Sequence, residues 1–190
     1  MPPKIRFGRE DIVSAALEII REQGIEGVNA RAVAARLGCS TQPLFREFES
    51  MEHIKEEAAR LAMELYARHV AEGAAREPIS YKGTGLAYID FARREPQLFK
   101  MLFMSNRVSR PVPEIEDPSY ELVISTLMER ISLSREQAEE FHLKMWIFVH
   151  GLAVMTATKY MDFTDEELSA MLSSQFMAQK ALYENKNGSL

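Results

Sequence analysis

An all-α protein is what this sequence predicts, and three observations carry that expectation. Glycine is scarce, at nine in 190 residues. Long alternating runs of β-branched residues, the mark of strands, do not occur. Apolar residues instead recur three and four positions apart, the spacing of one helix face. At 46% hydrophobic and 27% charged residues the composition is globular. A chain of this length buries roughly 70% of the surface its unfolded form exposes, enough for a core.

The first helix is expected over 9–23. Ile12, Val13, Ala16, Leu17, Ile19 and Ile20 form its apolar face, with Glu18, Arg21 and Glu22 on the solvated side. Glu10 and Asp11 lie in its first turn, where acids oppose the positive end of the helix dipole. Gly24 ends it, and Ile25 is placed to fold back on the last turn. Asn29 caps a second helix, whose stripe is Val33, Ala34 and Leu37. Gly38 can supply the positive φ at which such a helix stops. Ser40 or Thr41 then caps a third helix, with Leu44, Phe45 and Phe48 as its stripe. Two short helices joined by a tight turn make a helix-turn-helix, whose second helix enters the major groove of DNA.

Ser50 with His53 forms an imperfect cap for a long helix from about residue 52 to 72. It carries Ile54, Ala58, Leu61, Ala62, Leu65 and Tyr66 on one side and reads as a strut between a small N-terminal domain and the rest. Gly73 to Pro78 reads as a linker. A helix over 80–94 follows, weakened by Gly83 and Gly85. Pro96 opens a shorter one to about Ser105, bearing Leu98, Phe99, Leu102 and Phe103. Residues 106–118 hold prolines 111, 113 and 118 and are expected to loop. Three helices remain, over 119–131, 135–161 and 165–184. Ser134 with Gln137 and Thr164 with Glu167 are capping boxes at the last two starts. The domains expected are 1–50, a helix-turn-helix DNA-binding domain, and 51–190, a helical regulatory, ligand-binding and dimerisation domain.

The net charge is −5, whereas nucleic-acid binders usually carry a basic excess. Residues 1–50 hold seven basic and seven acidic side chains, so DNA binding there rests on where the charges sit. The single cysteine, Cys39, excludes an internal disulfide framework and suits a reducing cytoplasm. No apolar signal segment follows Met1, and the longest apolar run, Met145 to Met155, is too short to span a bilayer. A soluble cytoplasmic protein without membrane contact is expected.

The N-terminal segments AALEIIREQGIEGVNARAVAARLGCS and LFREFESMEHI resemble the TetR family of transcriptional regulators, over Ile12 to Ile54. Further on, YIDFARREPQLFKMLF and FVHGLA look like the regulatory region of such repressors. The resemblance implies a homodimer with two DNA-binding heads that reads a palindromic operator in double-stranded DNA. It also implies a helical domain whose small-molecule effector changes the separation of the heads. Half-sites for such a dimer lie about 34–36 Å apart, or a multiple of that.

Each candidate contact has its own chemistry. Asn29 and Arg31 stand at a helix start, where side chain or main-chain N–H can reach a phosphate. Ser40, Thr41 and Gln42 open the recognition helix, and a glutamine amide can pair with adenine N6 and N7. Pro43 loses nothing in a first turn and offers its ring to a thymine methyl. Arg46 reaches guanine or phosphate, with Glu47 expected to face away. Lys4, Arg6 and Lys55 are further phosphate or minor-groove candidates. Members of the family commonly have tyrosine where Phe45 stands and lysine where Met51 stands, so a hydroxyl and a charge are missing here. Weaker electrostatic binding with a shallower salt dependence follows. Cys39 fills a place the motif gives to a small apolar residue, which makes it a buried structural cysteine.

Tyr88, Phe91, Phe99, Phe103, Met128, Met145, Trp146 and Phe148 make an aromatic and methionine-rich interior suited to an apolar or aromatic effector. Of these, Tyr88, Phe91, Phe103, Met128, Met145 and Trp146, with His150, are the candidate pocket. His142 and His150 share a helix face but lack further ligands nearby, so a hydrogen-bonding histidine is expected rather than a metal site. Leu168, Met171, Leu172, Gln175, Phe176, Gln179 and Leu182 form a broad stripe on the last helix, an expected dimer contact that Gly151 would let approach closely. No nucleophile–base pair, metal cluster or phosphate-cradling glycine loop points to an enzyme or a cofactor. The competing reading is a helical small-molecule or partner-binding protein with a degenerate DNA-binding head.

Overall fold

The structure, a computed structural model, describes residues 7–76, 80–104 and 120–187. Those residues form α1 (Arg9–Gln23), α2 (Ala30–Leu37), α3 (Gln42–Glu47), α4 (Met51–Arg76), α5 (Ser80–Arg94), α6 (Pro96–Phe99), α7 (Tyr120–Ile131), α8 (Arg135–Ala157) and α9 (Asp165–Asn187), with no strand among them. The expected all-α class is what is found. The loop expected over 106–118 lies outside the described residues.

The described residues sort into two compact units. One lies within Met1–Tyr66 and Glu95–Ile115, the other within Ala67–Arg94 and Glu116–Leu190. The division falls inside α4, beyond its start at Met51. In the first unit α1 packs against α2 and α6. Ile12, Ile19, Ile20, Val33, Leu44, Ile54 and Leu98 are each at most 1% exposed, and burying such a side chain is worth about 1.5–3 kcal/mol. In the second unit α5 packs against α8 and α9, and α7 against α8.

Local chemistry explains most boundaries. The Asp11 carboxylate accepts from the Gly8 N–H at 2.8 Å and opens α1. Asn29 caps α2, its Oδ1 accepting from Ala32 N at 3.0 Å. Gly38 ends α2 at φ 66°, ψ 33°, the left-handed conformation expected of it. Ser50 Oγ accepts from His53 N at 3.1 Å at the start of α4. Both expected capping boxes form, with Ser134 and Gln137 opening α8 and Thr164 and Glu167 opening α9.

Four expectations need correction. Thr41 precedes α3 in helical conformation (φ −72°, ψ −14°) and makes no side-chain cap, because a capping side chain needs extended backbone at that place. Phe45 does not join the buried stripe: Leu44 and Phe48 are 0% and 2% exposed, Phe45 51%. One residue on from Leu44 is a 100° turn of the helix. Gly73 is no linker but a helical residue of α4, and a Cβ there would meet Ala87 Cβ at 2.4 Å. Glycine at that position lets α5 come close. Finally, α8 stops at Ala157, with Thr158 Oγ1 donating to Val154 O at 2.7 Å and Lys159 at φ 55°.

Candidate nucleic-acid interface

The recognition helix is α3. With Leu44 and Phe48 turned inward, Gln42, Phe45 and Arg46 share the outer face at i, i+3 and i+4, and all three are exposed. Ser40 is exposed beside them, while Thr41 and Pro43 are half-buried. This face offers an amide, an aromatic edge and a guanidinium, the groups that read adenine, thymine methyl, and guanine or phosphate.

Arg46 is not unattended. Its Nε and Nη2 donate to Glu47 Oε1 at 3.1 and 3.0 Å. Glu47 therefore does not face away as the helical spacing suggested, because a long arginine can fold back over the next residue. A guanine or phosphate must compete with that carboxylate. Asn29 is occupied at both ends of its amide, accepting from Ala32 N and donating to Gly27 O at 3.2 Å. What it leaves free toward a phosphate is the start of α2. Arg31 is exposed and enters no ion pair among the described residues, whereas Arg36 on the same helix is paired with Glu22. Lys55 is half-buried on α4, and Lys4 and Arg6 lie outside the described residues. Cys39 is half-buried, not the buried residue expected.

A residue that sequence reasoning missed stands behind this surface. Arg9, at the start of α1, reaches the end of α3 and the first turns of α4. It donates to Glu47 O at 3.0 Å and to Glu57 Oε1 at 2.9 Å. The hydrogen bond from Arg9 holds the Glu57 carboxyl below the usual carboxylate range. No periodicity signals such a contact, since its partners lie 38 and 48 residues away.

The second unit holds most of the candidate effector residues. Tyr88, Phe91 and Met145 are buried, at 4%, 2% and 4% exposure. Met128 packs against a cluster that includes Ile124, Leu127, Phe141 and Met145. A hydrogen bond joins Tyr88 Oη to His150 Nδ1 at 2.9 Å, and burial pushes the His150 pKa down. Trp146 is not interior: it is 37% exposed and stacks on the His150 ring at 4.8 Å. Phe103 belongs to the first unit, where it lies against Tyr66 and Phe99. A cleft of about 450 Å3 opens in the second unit, lined by charged residues such as Arg76, Asp90, Arg93 and Asp165 and by none of the aromatic candidates.

The stripe assigned to a partner also divides. Leu168, Leu172 and Gln179 are each 3% exposed within the single chain, and Gln179 Nε2 donates to Phe141 O at 2.7 Å. These three serve the chain's own interior. Met171, Gln175 and Phe176 are half-buried, and a Cβ built at Gly151 meets nothing within 4 Å. The most exposed large apolar residues of α8 and α9 are Leu143 and Ile147 on α8 and Met177 and Leu182 on α9, at 55%, 59%, 61% and 61% exposure. Leu182 belongs to the stripe that the sequence offers for a partner, whereas Leu143 and Ile147 were passed over because α8 carries apolar residues on more than one face, and Met177 because it lies off that stripe of α9.

Among the described residues no group of three or more His, Cys, Asp or Glu is placed to hold a metal ion. No helix of these residues is long and apolar enough to cross a membrane.

Comparison with known proteins fits this geometry. The chain is 23% identical to the uncharacterized HTH-type transcriptional regulator YobS of Bacillus subtilis, across 98% of this chain and 99% of that one. It is 30% identical over 105 residues to the tetracycline repressor protein class D of Escherichia coli, covering 54% of this chain and 42% of that protein. The fold matches the solved structure of the fatty acid degradation regulator FadR from Bacillus halodurans at a TM-score of 0.63, with 11% identity over 95% of this chain and 97% of that one. A family model for bacterial regulatory proteins of the tetR family matches residues 12–58. A second, for the tetracyclin repressor-like C-terminal domain, matches residues 82–176. That second match alone spans half of the chain, and with a helix-turn-helix head at the other end the chain belongs to the TetR family of DNA-binding transcriptional regulators.

Proposed function

We propose that the chain is a ligand-responsive repressor that binds a palindromic operator as a homodimer and is released by a small apolar or aromatic effector. The observation that carries the reading is the outer face of α3, where Gln42, Phe45 and Arg46 are presented by a helix anchored through Leu44 and Phe48. Residues 1–50 are the DNA-binding head in this reading, and 51–190 the regulatory and dimerising body. Asn29, Arg31, Ser40, Thr41, Pro43, Lys55, Lys4 and Arg6 are the supporting phosphate and groove contacts. The repressor role is carried over from the tetracycline repressor, and a place in the cytoplasm follows from the DNA partner.

Exposed Leu143 and Ile147, one turn apart on α8, and exposed Leu182 on α9 support a homodimer through these helices, since exposed apolar surface marks association sites. Gly151, a further turn along the same face of α8, and half-buried Met171 and Gln175 on α9 belong to this reading, while Phe176 packs against Phe141 in the interior. Tyr88, Phe91, Met128, Met145 and His150 support an apolar effector site, because a polar pair such as Tyr88–His150 among apolar side chains can orient a ligand.

Phe45 and Met51 favour a second reading, a ligand-binding protein whose head no longer grips DNA. Selection of bound sequences from random duplex DNA separates the two. The repressor reading expects an enriched palindrome, and Gln42→Ala should cost roughly 1–3 kcal/mol at one position of each half-site. No enrichment, or enrichment indifferent to both Gln42→Ala and Arg46→Ala, would leave the second reading standing.

A further inference from the structure

The recognition helix has six residues, and a helix that short does not hold itself in water. Its direction is set by what its inner face and its ends touch. Leu44 and Phe48 anchor the inner face. At the C-terminal end the guanidinium of Arg9 makes several contacts at once. Nη1 donates to the main-chain oxygen of Glu47, the last residue of α3, at 3.0 Å. Nη2 donates to Glu57 Oε1 at 2.9 Å and lies 2.8 Å from His53 Nε2. The guanidinium also sits over the Phe48 ring, 4.1 Å from its centroid. Glu57 is itself held by Arg60 at 2.7 Å, and its side chain is only 17% exposed.

We infer that Arg9 is a positioning residue for DNA binding: it fixes the angle at which α3 is presented, and does so without touching DNA. The Glu47 carbonyl is one of the oxygens left over at a helix end, where the helix dipole is negative and a cation is favoured. From there the same planar group spans to a carboxylate on α4, so the start of α1, the end of α3 and the first turns of α4 are tied at one point. Only a guanidinium has donors arranged to bond a carbonyl and a carboxylate while its face rests on a ring. Its position near the N-terminal basic residues would otherwise suggest a phosphate contact, but Nη1 and Nη2 are both engaged within the protein.

The inference rests on the DNA-binding reading, and its test measures wild type beside the variants. The duplex selected by wild type is titrated with wild type, Arg9→Gln and Glu57→Gln over a range of salt, with the active fraction counted and thermal melting recorded. We expect each variant to bind roughly ten-fold more weakly per active molecule, with unchanged base preference. The slope of log affinity against log salt should also be unchanged. A slope lowered by about one in Arg9→Gln would make Arg9 a phosphate contact and overturn the inference. So would unchanged affinity. If Arg9→Gln fails to fold, Glu57→Gln decides: weaker binding supports positioning, and equal or tighter binding overturns it, because removing a negative charge can only help a phosphate-bound arginine. Failure of wild type to select any duplex would instead sink the reading beneath.

Discussion

In α1 the apolar residues lie on one side: Ile12, Ala16, Ile19 and Ile20 are buried while Ser14, Glu18 and Glu22 are exposed. In α8 the buried residues Phe141, Met145, Val149 and Leu152 share the helix with Leu143, Trp146 and Ile147, which face outward. The first helix is satisfied within its own chain. The second keeps an apolar surface that the described residues do not cover, and a surface of that kind is where a second copy can add stability. In the proposed reading the head presents polar groups to DNA and the body associates with a second copy.

That contrast can be broken most severely in the cores. Leu44→Ala in the head and Leu172→Ala in the body should each cost about 2–5 kcal/mol in chemical denaturation, the usual penalty for truncating a buried leucine. Leu172→Ala should leave association of the folded chains intact, since its side chain faces inward. The outward face answers differently. Ile147→Asp should change the stability of a single chain by no more than about 0.5 kcal/mol, yet weaken pairing by more than roughly ten-fold in sedimentation. Pairing unaffected by Ile147→Asp but lost in a folded Leu172→Ala would invert the assignment of faces.

Two smaller effects sharpen it. Gly38→Ala should cost roughly 1–2 kcal/mol, because φ 66° is strained for any residue with a Cβ. An added Cβ meets nothing within 4 Å, so the loss reports backbone alone, and thermal melting reads it. The smallest effect is from pH. Burial places the His150 pKa below its ordinary value of 6.5, so the unfolded chain binds the proton more readily. Stability is full above that ordinary value and is lost as pH falls below it toward the folded pKa. His150→Gln should flatten that decline in melting curves taken across the window.

Many helix ends, in head and body alike, were legible because their signals are local. Asn29, Gly38, Ser50, and the Ser134–Gln137 and Thr164–Glu167 pairs act on main-chain groups at most a few residues away, and spacing alone finds them. Phe45 was misplaced because in a six-residue helix an apolar residue next to Leu44 looks like part of the same stripe. Arg9 was invisible for the opposite reason: its partners Glu47, His53 and Glu57 come together only once three helices have packed. In the body, a helix apolar on more than one side gives periodicity no single answer, so Leu168, Leu172 and Gln179 were assigned outward and Leu143 and Ile147 were missed. Gly73 read as a linker since its reason, the approach of Ala87, lies in another helix.

In the proposed pairing through α8 and α9, two copies carry two recognition helices to one palindrome. Its most direct test is sedimentation of the protein on the duplex it selects, with one equivalent of DNA and rising protein. Two chains of 21.7 kDa per duplex, falling to weak single-chain binding in Ile147→Asp, is the expected result. One wild-type chain per duplex, or two whose pairing Ile147→Asp leaves untouched, would contradict it.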